Sequence, residues 1–275
     1  MSSNKFQRTM GENERRRMST PYYGSTNSHM RVRDYIRAFR RKFSIRNPGR
    51  AAVRAKKKWT EVDRYFADLF VPSDPALDAA LEATQAAGLP PISVPPSQGK
   101  LLMLLARAVG AHTILEIGTL GGYSTIWLAR ALAPGGRMIT LEVDPTRGEI
   151  ARANVARAGL ADRVEVRVGR ALDSLPTLAA DGPFDLVFID ADSMNLVEYF
   201  QWALKLSRRG TLILVDNVVR GGSIVNAEVC KPTIEAIRRF YDHVAAEPKA
   251  SMTAIQTVGC KGYDGFAIAL VTAEP

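Results

Sequence analysis

The chain predicts an α/β fold on a doubly wound, seven-stranded, largely parallel sheet whose last strand is antiparallel. Three runs carry that expectation: LEIGTLGGYS at 115–124, FIDAD at 188–192 and LVDN at 214–217, each closing an apolar, β-prone stretch. In this order they set a glycine turn, an acidic residue and a cluster of oxygen ligands along one edge of a parallel sheet. Ligands bind at that edge in open α/β folds.

Taken in order, apolar periodicity predicts helices over 59–70, 74–87 and 98–109. A strand follows at Thr113–Ile117, then a helix over 123–132, a strand over 138–142 and a helix from about Thr146. Buried strands are expected at Phe184–Ile189 and 211–215, a helix over 233–245, and two final strands at 252–257 and 266–271. A terminal hairpin makes the last strand antiparallel. No internal repeat interrupts the pattern.

Gly118, Gly121 and Gly122 leave the first turn without side chains, so a ligand can approach its backbone and meet free amides at the helix start. The spacing is GxxGG rather than the GxGxxG of dinucleotide binding, and no P-loop lysine follows. Glu116, inside the strand end, would repel a pyrophosphate but can pair with an ammonium, which favours a cationic, amino-acid-like cofactor. Glu142, ending the next strand, suits a ribose diol because both hydroxyls can donate to its oxygens. Asp144 reads better as a helix cap.

Asp190 follows one buried strand, and Asp216 with Asn217 follows another. Neighbouring parallel strands bring these ends together. Two carboxylates and an amide carbonyl, with no His or Cys near in sequence, suit a hard octahedral cation such as magnesium. Strand-end aspartates also cap helices and form turns; the accompanying motifs favour the metal reading.

Over 59–271 the chain resembles the cation-dependent O-methyltransferases, which include caffeoyl-CoA and catechol O-methyltransferases and many bacterial relatives. The matching text is QGKLL at 98–102, LEIGTLGGYSTIWLARAL at 115–132, NVARAGLADRVEVRVG at 154–169, FDLVFIDAD at 184–192 and VDNVVRGG at 215–222. The resemblance implies a Rossmann-like class I methyltransferase with S-adenosylmethionine as cofactor. Its methionine end is then expected near Val94, Glu116, Gly118, Ser124 and Asp190, its ribose on Glu142 and its adenine near Ala171. Asp190, Asp216 and Asn217 are the expected ligands of a divalent cation, magnesium by preference. The expected acceptor is a small catechol-like phenol, chelated through adjacent oxygens and so made acidic near neutral pH. A homodimer is implied by resemblance alone.

One departure stands out. The family usually reads Asp-Ala-Asp-Lys, the lysine being commonly assigned as base, whereas this chain has Asp190, Ala191, Asp192 and Ser193. A serine hydroxyl is no base without an activating partner. Asp190, Asp192 and Ser193 are therefore the catalytic candidates, with deprotonation left to the metal, Asp192, solvent or a distant lysine. Lys231 and Lys261 read first as solvated surface lysines. Substrate choice is expected in loops at 218–232 and 259–265, the second holding Tyr263, which can stack on an aromatic ring or merely flank a turn. Two rival readings stay open: a cofactor-binding protein with weakened catalysis, and an NAD-dependent oxidoreductase, disfavoured by the GxxGG turn and Glu116.

With 275 residues, 46% of them hydrophobic, the chain can bury one sizeable core. Two cysteines, Cys230 and Cys260, form neither a ligand spacing nor a disulfide framework, which fits a reducing cytoplasm. No apolar stretch is long enough to span a membrane, and no signal peptide is visible. Residues 1–58 carry 17 Lys/Arg against 3 Asp/Glu, while 59–275 carry 20 against 25. The division is thus a basic extension, 1–58, disordered or partly helical, and a methyltransferase domain, 59–275. The stretch 32–43 has amphipathic spacing suited to anionic lipid or nucleic acid. A leader without function, with 27–30 resembling a cloning junction or Met30 as the start, is the preferred reading over a binding arm.

Overall fold

The computed structural model describes residues 48–274; most of the basic extension, with the stretch 27–30 and the amphipathic stretch 32–43, lies outside the described residues. Helices α1 (Pro48–Phe70), α2 (Pro75–Ala86) and α3 (Pro96–Ala108) precede the sheet. Then follow β1 (Thr113–Ile117), α4 (Tyr123–Ala129), β2 (Arg137–Glu142), α5 (Pro145–Arg157), β3 (Val164–Val168), α6 (Ala171–Ser174), β4 (Phe184–Ile189), α7 (Leu196–Lys205), β5 (Ser207–Val215), α8 (Pro232–Ala245), β6 (Ala250–Gly259) and β7 (Gly262–Val271).

The sheet order is β3-β2-β1-β4-β5-β7-β6, with β7 antiparallel to both its neighbours and the remaining pairings parallel. This is the Rossmann-like arrangement expected from the sequence, with the order reversing between β1 and β4. Alternate strand residues feed two cores. Ile114, Met138, Phe188 and Leu214 pack beneath α2 to α5, while Leu115, Ile139, Val187 and Ile213 pack beneath α7 and α8. Phe200 and Phe240 meet edge to face at 5.6 Å, joining α7 to α8.

Helix starts follow their local chemistry. Proline occupies the first turn of α2, α3, α5 and α8, where its missing N–H costs nothing. Asp144 caps α5 as expected, accepting from the amides of Thr146 (2.8 Å) and Arg147 (3.2 Å). Most boundaries lie within a few residues of the sequence reading, and two departures matter more. Helix α1 begins at Pro48, well before residue 59, because the Ala- and Lys-rich run up to Lys58 favours helix despite its charge. The segment 259–265 is not a long loop: β6 and β7 register from Ala250↔Val271 to Gly259↔Gly262, leaving only Cys260 and Lys261 in the turn. Gly265 pairs with Gln256 within β7, and glycine is needed there because a Cβ would strike the carbonyl of Ile255 and the side chain of Val219.

The opposite edge is tied by Asp185. Its Oδ2 accepts from the amides of His112 (2.8 Å) and Thr113 (3.0 Å), and its Oδ1 accepts from Arg208 (Nε, 3.1 Å). Burial pushes this carboxyl up, but the two amides and the guanidinium hold it below the ordinary aspartate value. A lowered carboxylate stabilises the fold above its unfolded pKa, and that contribution disappears as pH falls through the lower folded value. Asp185→Asn is expected to cost about 1–3 kcal/mol at neutral pH. Urea denaturation at neutral pH and below pH 4 should show the difference from wild type shrinking in acid.

Candidate active site

The ends of β1 and β4 approach backbone to backbone. The Asp190 amide donates to the Ile117 carbonyl (2.9 Å), and Gly118 sits at φ 99° where any Cβ would strike the Asp190 carbonyl. Gly122, at φ 81°, starts α4 from the left-handed region. Between these turns opens a cavity of about 530 Å³, lined by six of the seven residues the sequence assigns to the cofactor: Val94, Gly118, Ser124, Glu142, Ala171 and Asp190.

Glu116 does not line it. From its place in β1 its side chain points under α4, where Ser124 Oγ donates to Oε1 (2.6 Å) and Thr125 Oγ1 (2.5 Å) and Thr140 Oγ1 (2.7 Å) donate to Oε2. Burial pushes its carboxyl up to about 7 against the pull of these hydroxyls. Glu116 thus holds the Ser124 hydroxyl and does not itself face the cavity. Glu142 does face the cavity, nearly buried, with Oε2 held by the Leu120 amide (2.8 Å) and Oε1 by the Asp144 amide (3.0 Å).

Asp190, Asp216 and Asn217 come together as expected. Asn217 Nδ2 donates to Asp190 Oδ1 (2.6 Å), while Asp216 accepts from the Asn217 amide (Oδ1, 2.8 Å) and from Gln98 Nε2 (Oδ2, 2.8 Å). Burial and the neighbouring Asp216 charge push Asp190 up to about 7, and burial raises Asp216 as well. Two buried like charges with few donors are what a dication relieves, so the donor set fits a hard cation. Asn217 would offer its carbonyl after rotation of the amide. Among the described residues no group of three His, Cys, Asp or Glu could hold a metal; an amide completes this set.

The catalytic candidates are more altered. Ser193 is buried, does not line the cavity, and its Oγ accepts from Arg220 Nη2 (3.0 Å). Asp192 lines the cavity but is engaged as a cap: Oδ1 accepts from the Asn195 amide (3.1 Å) and Oδ2 from the Tyr199 hydroxyl (2.6 Å). Lys261, read from sequence as a solvated lysine, donates to the carbonyls of Ile92 (2.6 Å) and Ser93 (2.9 Å) and lines the cavity. Lys231 stays exposed at the start of α8.

A second cavity of about 320 Å³ holds Gln98, Leu101, Asp216, Tyr263 and Phe266, and shares Asn217 and Lys261 with the first. Sequence reasoning gave Gln98, Tyr199 and Arg220 no role in the site. Arg220 follows Asn217 by three positions and precedes two glycines, a strained-turn signal that could have marked it.

A nucleoside-sized cavity at the switch point, a ribose-sized carboxylate and an acidic pair beside it define an α/β enzyme of the methyltransferase class. The O-methyltransferase family model matches residues 70–269, and the chain belongs to that family. It is an enzyme that belongs with the S-adenosylmethionine-dependent O-methyltransferases. It is 58% identical over 211 residues to a catechol O-methyltransferase of Mycobacterium tuberculosis, covering 77% of this chain and 95% of the relative. An O-methyltransferase of Bacillus cereus, solved in complex with SAH, is 54% identical with a TM-score of 0.77, covering 79% of this chain and 100% of the other. TomG of Streptomyces achromogenes, an O-methyltransferase involved in tomaymycin synthesis and solved with SAM, is 50% identical with a TM-score of 0.77, covering 79% and 99%.

The raised Glu116 gives a checkable sign. A carboxyl whose folded pKa lies above its unfolded value stabilises the fold below the unfolded value, and that contribution is lost as pH rises through about 7. Glu116→Gln cannot ionise, so its stability relative to wild type is expected to rise between pH 5 and pH 8. Urea midpoints at both pH values check it; a constant difference would contradict the buried, shifted carboxyl.

Proposed function

We propose that this enzyme methylates one hydroxyl of a small catechol-like acceptor with S-adenosylmethionine as donor and a divalent cation, magnesium by preference, beside it. The observation that supports this most is the meeting of two cavities at Asn217 and Lys261, with Asp190 lining one and Asp216 the other. A donor and an acceptor can thus meet beside two carboxylates. The relative named as a catechol O-methyltransferase supports the acceptor class, and the SAH and SAM complexes of the neighbours support the donor.

When bound, S-adenosylmethionine supplies an electrophilic methyl group on a sulfonium. Glu142 accepts the ribose hydroxyls, with its orientation already fixed by the Leu120 and Asp144 amides. Ser124, anchored on Glu116, offers its hydroxyl to the methionine end together with the Val94 and Gly118 backbone. Asp190, Asp216 and Asn217 would hold the cation, which would supply acidification of the acceptor hydroxyl. Alignment of the reacting atoms and exclusion of water complete the protein's part.

The same reading takes 59–275 as the methyltransferase domain, 1–58 as a basic extension, the cytoplasm as location and a homodimer as the working unit. The exposed Tyr65, Phe66, Leu69 and Phe70 on α1 support a partner copy. Among the described residues no helix is long and apolar enough to cross a membrane.

Calorimetric titration with S-adenosylmethionine and then catechol, with magnesium and with excess chelator, tests the proposal. Donor binding is expected under both conditions and catechol binding only with magnesium; catechol binding that ignores chelator would remove the metal from the reading. Glu142→Ala is expected to weaken donor binding about 10- to 100-fold, the worth of hydrogen bonds to a charged group. Asp216→Asn should leave donor affinity near wild type while abolishing the magnesium response.

A further inference from the structure

Arg220 puts a cation at the acceptor end of the first cavity under unusual constraint. Its backbone lies at φ 51°, a region costly for a residue with a side chain. Asp264 of β7 holds it there: Oδ1 accepts from the amides of Val219 (2.9 Å), Arg220 (2.8 Å) and Gly265 (3.0 Å). The guanidinium lines the cavity with Asp190, Asp192 and Asn217, rests one nitrogen on Ser193 Oγ, and leaves Nε buried without a hydrogen-bond partner. Strain fixed from another strand, and a buried donor left open, point to a ligand.

Proton bookkeeping says which ligand. Arginine cannot act as a base. Ser193 accepts from Arg220 and has no activating partner, and Asp192 is engaged by Tyr199 and Asn195. Lys261 already donates to two carbonyls, and Asp190 accepts from Asn217 and is assigned to the cation. We propose that Arg220 binds the acceptor's phenolate oxygen and that no side chain at this site acts as the base, so the hydroxyl proton leaves to solvent. This rests on the phenolic-acceptor reading above. In the transfer step an oxygen lone pair forms the bond to the methyl carbon, the carbon–sulfur bond breaks, and its electron pair stays on sulfur as the thioether. Arg220 thus replaces a lysine by holding charge rather than by moving a proton, and it selects acceptors acidic enough to ionise in water.

The test compares wild type, Arg220→Met, Arg220→Lys and Ser193→Lys on catechol, 4-chlorocatechol and 4-nitrocatechol from pH 6 to pH 9, with magnesium throughout. Wild-type kcat/KM is expected to rise with pH until each acceptor has ionised, with the most acidic acceptor levelling off first. Arg220→Met should lose about a hundredfold, the worth of one oxyanion donor, while keeping wild-type affinity for S-adenosylmethionine. Arg220→Lys should recover part of the loss, and Ser193→Lys should flatten the pH dependence. Independently of turnover, 4-nitrocatechol bound to Arg220→Met should need a higher pH than when bound to wild type to show the visible band of its ionised form.

Wild-type kinetics on all acceptors in Arg220→Met, or the same bound spectrum in both proteins at every pH, would overturn the role of Arg220 and leave the methyltransferase reading standing. Failure of wild type with bound donor to take up any catechol would overturn the phenolic acceptor and this inference with it.

Discussion

The contact on which the rest of the site depends is between the ends of β1 and β4, where Gly118 lies against the Asp190 backbone with no room for a Cβ. A left-handed φ at Gly118 turns the chain away from β1 at once and frees the crevice at the switch point. The same contact fixes the height at which Asp190 leaves the sheet. Asp216 does likewise one strand over, its amide donating to the Ile189 carbonyl (3.0 Å). Cavity and acidic pair are therefore set by backbone hydrogen bonds at the sheet edge.

Placing acids at that height is costly, and the structure offsets each one differently. Glu116, fully buried, receives three hydroxyls and no cation, so burial dominates and its pKa rises. Glu142 is clamped by the Thr119 and Leu120 amides of the glycine turn and by the Asp144 amide, which align it. Asp190 accepts from the Asn217 side chain and Asp216 from the Asn217 amide and Gln98, and the fields of Lys261 on both and of Arg220 on Asp190 are too little to settle two charges. The unsettled pair faces the place where the cavities meet, and the settled acids lie behind or beside the first cavity. Energetic incompleteness is concentrated where chemistry is expected.

Much of this was legible in the sequence because the informative residues are local. A glycine turn after an apolar run, an acid ending the next strand, and Asp or Asp-Asn ending two others need only strand period and parallel order to be brought together. What could not be read depends on contacts distant in sequence. Glu116 is one residue from the strand end, and the two-residue period turns it under α4 instead of into the cavity. Ser193 looked like a weakened base because sequence does not show Arg220 reaching it across 27 positions. Lys261 and Tyr263 were blurred by counting Gly259 and Gly265 as turn residues, when Gly265 is a strand residue required by close packing.

The antiparallel β7 accounts for that hairpin's importance. Had the last strand been parallel, its connection to β6 would have had to cross the sheet, and a two-residue turn could not have lain at the carboxyl edge of the other strands. Reversing β7 brings its first residues to the same edge as Asp190 and Asp216. Lys261 in the turn then spans both cavities, Tyr263 lines the second, and Asp264 grips the loop that carries Arg220. Within the hairpin, β7 carries the core residues Ala267, Ala269 and Val271, while β6 lies at the sheet edge with most of its residues exposed and is the strand freer to vary. The one strand that breaks the parallel pattern thereby adds the second cavity, and the side chains where the two cavities meet, to what would otherwise be a plain nucleoside-sized crevice.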